Sequence, residues 1–108
     1  MQTRNIEFET YLDKNGLDKL RVQLKTHKNE LIDVLYQYES FINNKWVAIV
    51  RYDCSHGFFH KDVMYPNGSK EKTEMTFNSL KSASLYAAQD LKDRWEWYKE
   101  RYLKKLKK

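Results

Sequence analysis

The residue types best suited to acid–base chemistry are concentrated between residues 51 and 62. This segment holds two of the three histidines of the chain, together with one arginine and two aspartates: Arg51, Asp53, His56, His60 and Asp62. Cleavage of RNA through its own 2′-hydroxyl needs a general base, a general acid and a cation beside the phosphate. Histidine can take either proton-transfer role near neutral pH, and arginine offers two parallel donors to a phosphate. The segment therefore predicts metal-independent phosphodiester cleavage.

Each residue of this segment has an expected role in that chemistry. His56 and His60 would act as acid and base, and Arg51 would stabilise charge on the phosphate. Asp53 or Asp62 would fix the tautomer of a histidine. A solvated hairpin face with ordinary cross-strand pairs is the competing interpretation, because such faces often carry the same residue types.

A metal site is a third interpretation of the same residues. Four residues along a strand span about 13 Å, whereas each protein ligand lies about 2 Å from its ion. His56 and His60 can therefore chelate one ion only where the chain bends at Gly57. Cys54 is the single cysteine, which excludes a disulfide and a cysteine-based zinc site within the chain. We expect no metal and no other cofactor.

Alternation of apolar and polar residues places this chemistry on a β-hairpin. With strands over 46–53 and 58–65, Arg51 would lie directly opposite His60, close enough for both to act on one ligand. The polar side chains would share one face of the hairpin: Arg51, Asp53, His60 and Asp62. The apolar side chains would form the core on the other face: Trp46, Ala48, Val50, Tyr52, Phe59, Val63 and Tyr65.

The same alternation extends over the first two thirds of the chain. It predicts five or six strands, near residues 6–10, 20–26, 32–41, 46–53, 58–65 and 70–75. Residues that tolerate positive φ separate several of them: Asn15-Gly16, Asn43-Asn44 and Asn67-Gly68. Short connections favour an antiparallel meander.

The last third changes to helical spacing. Apolar or small residues recur every three or four positions: Leu80, Ser84, Ala87, Leu91, Trp95, Tyr98, Tyr102 and Leu106. Asn78 or Ser79 is a suitable N-cap. The sequence therefore predicts an α+β fold, in which a five- or six-stranded antiparallel β-meander carries one long C-terminal helix packed on one face. A single domain covers residues 1–108, with the sheet over about 6–75 and the helix over about 79–106.

Basic residues are concentrated at the C-terminal end of the predicted helix. The net charge is +5, and the last ten residues alone hold six cations and one anion. Basic residues alternate with an aromatic residue along this part of the helix: Arg94, Trp97, Arg101, Lys104, Lys105 and Lys108. Surfaces of this kind bind single-stranded nucleic acid, because cations contact phosphates and an aromatic ring stacks on a base. The pattern predicts RNA as a partner.

Two alternatives for this helix stay open. Trp97 could pack on an edge of the sheet, with the arginine stems beside it. The same residues could instead form a non-catalytic interaction or dimerisation module that docks a cognate protein or a second copy of the chain. The longest apolar run, residues 46–50, is too short to cross a bilayer, so we expect a cytoplasmic protein with no membrane partner.

Two blocks of the sequence resemble a family of small uncharacterised prokaryotic proteins. The first block comprises Arg51-Tyr52-Asp53, His56-Gly57-Phe58, His60, Asp62 and Pro66-Asn67-Gly68. The second comprises Gln89-Asp90, Trp95-Glu96-Trp97-Tyr98 and Glu100-Arg101-Tyr102-Leu103. This resemblance extends from about Tyr36 onward and implies no established activity. The layout of sheet, helix and histidine-bearing hairpin is also similar to TumE-type toxins of toxin–antitoxin pairs, which carry a denser run of histidines. That similarity implies a toxin-like ribonuclease.

Overall fold

Six strands and one helix make up the structure. The computed structural model describes residues 2–54 and 58–107. In chain order the elements are β1 (Thr3–Tyr11), β2 (Asp18–His27), β3 (Glu30–Ile42), β4 (Lys45–Asp53), β5 (His60–Met64), β6 (Lys70–Glu74) and α1 (Leu80–Leu106). The strands form one sheet in the order β1-β2-β3-β4-β5-β6, and every neighbouring pair is antiparallel. The predicted α+β architecture, a six-stranded meander with one long C-terminal helix, is confirmed.

Tight turns with positive φ join the long central strands. Lys28 and Asn29 have φ of 52° and 66° between β2 and β3, and Asn43 and Asn44 have φ of 53° and 66° between β3 and β4. Two successive residues with positive φ match the twist of antiparallel strands, and asparagine tolerates that conformation better than most residues. The Asn43-Asn44 pair therefore marked its turn correctly in the sequence, and Lys28-Asn29 forms the equivalent turn in the predicted gap between the second and third strands.

The helix α1 packs its apolar stripe on β3 and β4. Ser79 is the N-cap, and its side-chain oxygen accepts a hydrogen bond from the backbone N–H of Ser82 at 3.1 Å. The hydrophobic core comprises Leu20, Val22, Val34, Tyr36, Tyr38, Ile49, Val50, Tyr52, Phe59, Val63, Ala83, Ala87, Leu91 and Tyr98. The helix contributes small alanines to this core and the sheet contributes large tyrosines.

A buried polar cluster beneath the last third of α1 holds the helix in place. Asp18 of β2 is 2% exposed and accepts hydrogen bonds from the hydroxyls of Tyr38 at 2.6 Å and Ser40 at 2.7 Å. Lys99 of α1 completes the cluster, because its Nζ lies 3.0 Å from Asp18 Oδ2. The carboxylate is thus paired and hydrogen-bonded, as a buried charge needs to be.

A bulge in β4 moves two predicted core residues to the opposite face of the sheet. Tyr38 pairs with Val50 and Glu39 pairs with Ala48, so Ile49 is an extra residue in the ladder. The prediction that Trp46 and Ala48 share the core face with Val50 is therefore wrong. Trp46 is 37% exposed, and its ring lies 4.2 Å from Lys19 Nζ on the face away from α1.

Candidate functional site

The polar face of the hairpin forms as predicted, but with a different register. Asp53 pairs with His60, and Arg51 pairs with Asp62. The predicted pairing of Arg51 with His60 is wrong by two residues. Because side chains alternate with a period of two, a shift of two residues changes every partner and leaves the two faces unchanged. The four described polar residues therefore share the face away from α1, and His56 lies outside the described residues.

His60 is buried at the centre of this face. It is 2% exposed, whereas the sequence predicted a solvent-facing residue, and that prediction is wrong. The physical reason is that β5 runs between β4 and β6, and the ring of Phe58 lies against the imidazole with centroids 6.3 Å apart. His60 Nε2 lies 2.8 Å from Asp53 Oδ1 and 3.7 Å from Asp62 Oδ2. The other ring nitrogen, Nδ1, lies 3.4 Å from the carbonyl oxygen of Phe58.

Asp62 is the most deeply buried carboxylate of the group. It is 1% exposed, and its Oδ2 lies 3.5 Å from Nζ of Lys70, an exposed residue of β6. Its Oδ1 is buried and accepts no hydrogen bond from any described residue. One ligand atom from each of Asp53, His60 and Asp62 lies within 4.8 Å of the others, a set that could hold a metal ion. We call these three residues the hairpin cluster.

A cleft gives access to the hairpin cluster from one side. It measures about 280 Å³, and Asp53 lines it together with Glu7, Lys25 and Asp33. Asp53 is the most exposed member of the cluster, with 14% of its side chain accessible. A small solute that enters the cleft reaches Asp53 before it reaches the two buried groups.

Arg51 belongs to a separate polar network on the same face. Its Nε donates a hydrogen bond to Gln37 Oε1 at 2.6 Å, and Gln37 Nε2 donates to Glu39 Oε2 at 2.5 Å. Glu39 in turn lies 3.8 Å from Lys19 and from Arg21. Arg51 was predicted to hold a phosphate beside His60. Its hydrogen bond to Gln37 orients the guanidinium toward β3, so a phosphate would have to compete with Gln37 for it.

The predicted nucleic-acid surface lies on the exposed side of α1. Trp97 is 46% exposed, and the guanidinium carbons of Arg94 and Arg101 lie 4.8 Å and 5.1 Å from its ring centroid. The ring also meets the edge of Tyr98, with centroids 5.3 Å apart. Lys104 and Lys105 are exposed in the last turn, and Lys108 lies outside the described residues. The structure thus brings a stacking ring and four cations to one helical surface.

Two contacts of the site were missed by sequence reasoning. Lys70 was not among the predicted site residues, although the turn at Asn67-Gly68 returns β6 alongside β5 and pairs Lys70 with Met64, two residues from Asp62. Asp90 of α1 was not among the predicted core or site residues either, yet it is 8% exposed. Its position three residues after the buried Ala87 was the available signal.

Comparisons with known proteins were made with the whole chain. A family model described as a domain of unknown function (DUF7718) matches residues 1–108. Searches of curated proteins and of solved structures returned no match. Over the described ranges 2–54 and 58–107, α1 is too polar to cross a membrane and no other helix is present to do so.

Proposed function

We propose that this chain, which belongs to the family of domains of unknown function DUF7718, binds single-stranded RNA through the exposed surface of α1. The proposed binding surface comprises Arg94, Trp97, Arg101, Lys104 and Lys105. One observation carries the proposal: an indole ring that is 46% exposed has two guanidinium carbons within 5.1 Å of its centroid.

The chemistry of single-stranded RNA matches both parts of this surface. Every base has a π-face that can stack on an indole, and such stacking contributes about 1–3 kcal/mol per base. Arginine and lysine neutralise the phosphates that flank the stacked base. Arg94 is held in position by Asp90, whose Oδ1 lies 3.7 Å from Arg94 Nε, so one cation of the surface is ordered before RNA binds.

The sequence predicted both RNA binding and RNA cleavage, and the described side chains support binding more strongly than cleavage. Metal-independent cleavage needs a histidine whose ring nitrogen can reach the substrate. His60 is 2% exposed, and its Nε2 already lies 2.8 Å from Asp53 Oδ1. Toxin-like cleavage would therefore need this hairpin to open, and binding at α1 needs no such change.

Fluorescence anisotropy with a labelled single-stranded RNA of mixed sequence, in the presence of EDTA, tests the proposal. We expect Trp97→Ala to weaken binding roughly 5- to 150-fold, the loss of one stacked base. Trp46→Ala is the matched control, because Trp46 is also exposed and also lies beside a cation but sits on the opposite face of the sheet. Equal affinities for the two variants would contradict the proposal.

Salt dependence separates RNA binding from the interaction-module alternative. Replacing Lys104 and Lys105 by Gln should reduce the slope of log affinity against log salt by about 1.4, because each phosphate contact contributes about 0.7. Replacing Lys14, in the loop between β1 and β2, and Lys45, at the start of β4, should leave the slope unchanged, because both are exposed and lie outside α1. If Trp97→Ala instead converts a dimer to a monomer and the RNA affinity is unchanged, the helix serves self-association.

A further inference from the structure

We propose that the hairpin cluster of Asp53, His60 and Asp62 is a binding site for a divalent first-row transition-metal ion. The inference is independent of the proposed RNA surface, because the cluster lies on the face of the sheet away from α1. The proposed site differs from the metal site considered in the sequence analysis, in which His56 and His60 would hold the ion together. Here Asp53 and Asp62 supply the ligands beside His60, so a second histidine is not needed.

The distances between the three side chains fit a single ion. Ligand atoms that lie about 2.0–2.2 Å from one ion are roughly 3.0–3.5 Å from each other in tetrahedral or octahedral geometry. His60 Nε2 lies 2.8 Å from Asp53 Oδ1 and 3.7 Å from Asp62 Oδ2, so the observed separations lie on either side of that range. The third separation, between the carboxylates of Asp53 and Asp62, is within 4.8 Å, so the three side chains would draw closer together around a bound ion.

The charge of the cluster favours a cation. Two carboxylates lie together here, and Nζ of Lys70, which lies 3.5 Å from Asp62 Oδ2, belongs to a side chain that is 48% exposed. Arg51 and Lys72 are the cross-strand partners of Asp62, and the guanidinium of Arg51 is hydrogen-bonded to Gln37. Asp62 Oδ1 is buried without a hydrogen bond from the described residues, which is costly for a charged group. A metal ion would supply the missing partner and neutralise the second carboxylate.

The hydrogen bonding of His60 points in the same direction. Nε2 lies 2.8 Å from Asp53 Oδ1, the distance of an N–H donor to a carboxylate, so an ion would take the place of the proton on Nε2. Nδ1 lies 3.4 Å from the carbonyl oxygen of Phe58, an acceptor that would face the remaining ring proton. Metal-bound histidines commonly use this arrangement, in which the second nitrogen donates to a backbone carbonyl.

The donor set and the access route indicate the class of ion. One imidazole nitrogen with two carboxylate oxygens suits Zn²⁺ or Mn²⁺, whereas Mg²⁺ and Ca²⁺ prefer oxygen ligands alone. Three protein ligands leave at least one coordination position for water or another ligand. Asp53 connects the cluster to the cleft of about 280 Å³ that it lines.

Titration calorimetry of the untagged, EDTA-stripped full chain with ZnCl₂, MnCl₂ or MgCl₂ tests this inference. We expect one Zn²⁺ or Mn²⁺ per chain, a higher melting temperature with the bound ion, and no comparable response to Mg²⁺. Asp62→Asn should weaken Zn²⁺ binding by more than about 100-fold, beyond the 10- to 100-fold loss typical of outer-sphere partners. Asp33→Asn is the matched control, because Asp33 lines the same cleft and is outside the cluster.

Each outcome decides the inference. Stoichiometric Zn²⁺ or Mn²⁺ binding that is lost in Asp62→Asn and retained in Asp33→Asn supports the site. Absence of binding to the unmodified chain overturns it, and so does equal binding by both variants, which would indicate diffuse attraction to acidic residues. Circular dichroism of Asp62→Asn confirms that the comparison is made between folded proteins. Asp53→Asn serves as the second variant if Asp62→Asn does not fold.

Discussion

Tyr52 of β4 donates a hydrogen bond of 2.6 Å to Asp90 of α1, and this bond ties the helix to the centre of the sheet. The same oxygen of Asp90, Oδ2, accepts a second hydrogen bond of 2.6 Å from Tyr98. Burial and the bonded carboxylate raise the pKa of both tyrosines well above the ordinary value, so both hydroxyls stay protonated and act as donors at every physiological pH.

Tyr52→Phe should therefore destabilise the protein by about 1.5–3 kcal/mol, the range for a hydrogen bond to a charged group. Without this donor, the buried carboxylate of Asp90 accepts one hydrogen bond fewer to offset the cost of burying its charge. The free energy of unfolding in urea, followed by tryptophan fluorescence, measures the loss. Tyr36→Phe is the control: Tyr36 accepts a bond of 2.9 Å from the neutral Ser84, so its loss should be smaller, about 0.5–1.5 kcal/mol. If Tyr36→Phe lost more stability than Tyr52→Phe, packing, and not the charge of Asp90, would set the contribution of the Tyr52 contact.

His60→Ala should destabilise the metal-free protein by about 3 kcal/mol. The sequence alone led us to expect less than about 0.5 kcal/mol, the usual effect of losing a solvent-facing side chain. The structure reverses that expectation, because His60 is 2% exposed and lies between two carboxylates that would be left facing each other. Urea unfolding in EDTA measures the effect, with His27→Ala as a control at an exposed position. Similar small losses for both variants would show that solvent reaches the cluster freely.

The fold was largely predictable because its determinants are local. Alternation with period two, turn residues such as Asn43-Asn44 and the helical spacing after Ser79 each act over a few residues, and all agree with the structure. The register between strands could not be predicted from these local patterns. Alternation gives the same two faces when a strand shifts by two residues, so the sequence assigned His60 as the partner of Arg51 in place of Asp62.

Burial of the candidate site depends on contacts that lie far apart in sequence. His60 is covered because β6 pairs with β5 and because the ring of Phe58 lies against it, and neither property follows from its own segment. The bulge at Ile49 likewise depends on the pairing with β3, and it moved Trp46 off the core face. Helical spacing places Trp97 about 160° around α1 from Trp95, so only one of the two rings could face the core, and the structure shows that Trp97 is the exposed one.

Asp13 should give the protein a specific sensitivity to acid. Its carboxylate accepts backbone hydrogen bonds from Asn15, Leu17 and Asp18 at 3.0–3.2 Å and so closes the loop between β1 and β2. Burial alone would raise the pKa of Asp13, but these bonds together outweigh it and hold the pKa below the ordinary 3.8. The stabilisation is therefore fully present above the unfolded value of 3.8 and is lost as the pH falls through the lower, folded value.

Asp13→Asn removes the charge and one of the two acceptor oxygens, and should reduce stability at neutral pH by about 1 kcal/mol, the typical net contribution of one hydrogen bond. The difference in free energy of unfolding between Asp13→Asn and the unmodified chain should become smaller as the pH falls below 3.8. Urea midpoints at neutral and acidic pH measure it. The control is Asp93→Asn, an exposed carboxylate that accepts from the side chain of Gln89 and holds no backbone turn. A constant difference across the pH range would show that the charge of Asp13 is not what stabilises the loop.

Cys54 should be a poor nucleophile in the folded chain, and Asp33 is part of the reason. Burial and the hydrogen bond of 3.1 Å to Asp33 Oδ1, which keeps the proton on sulfur, together raise the pKa of the thiol from 9.0 to about 11. The thiolate is the reactive form, so alkylation by iodoacetamide near neutral pH should be roughly 100-fold slower in the folded protein than in urea. Asp33→Asn should accelerate alkylation of the folded protein and leave the rate in urea unchanged. If the folded-state rate does not rise in Asp33→Asn, restricted access and not the carboxylate protects the sulfur.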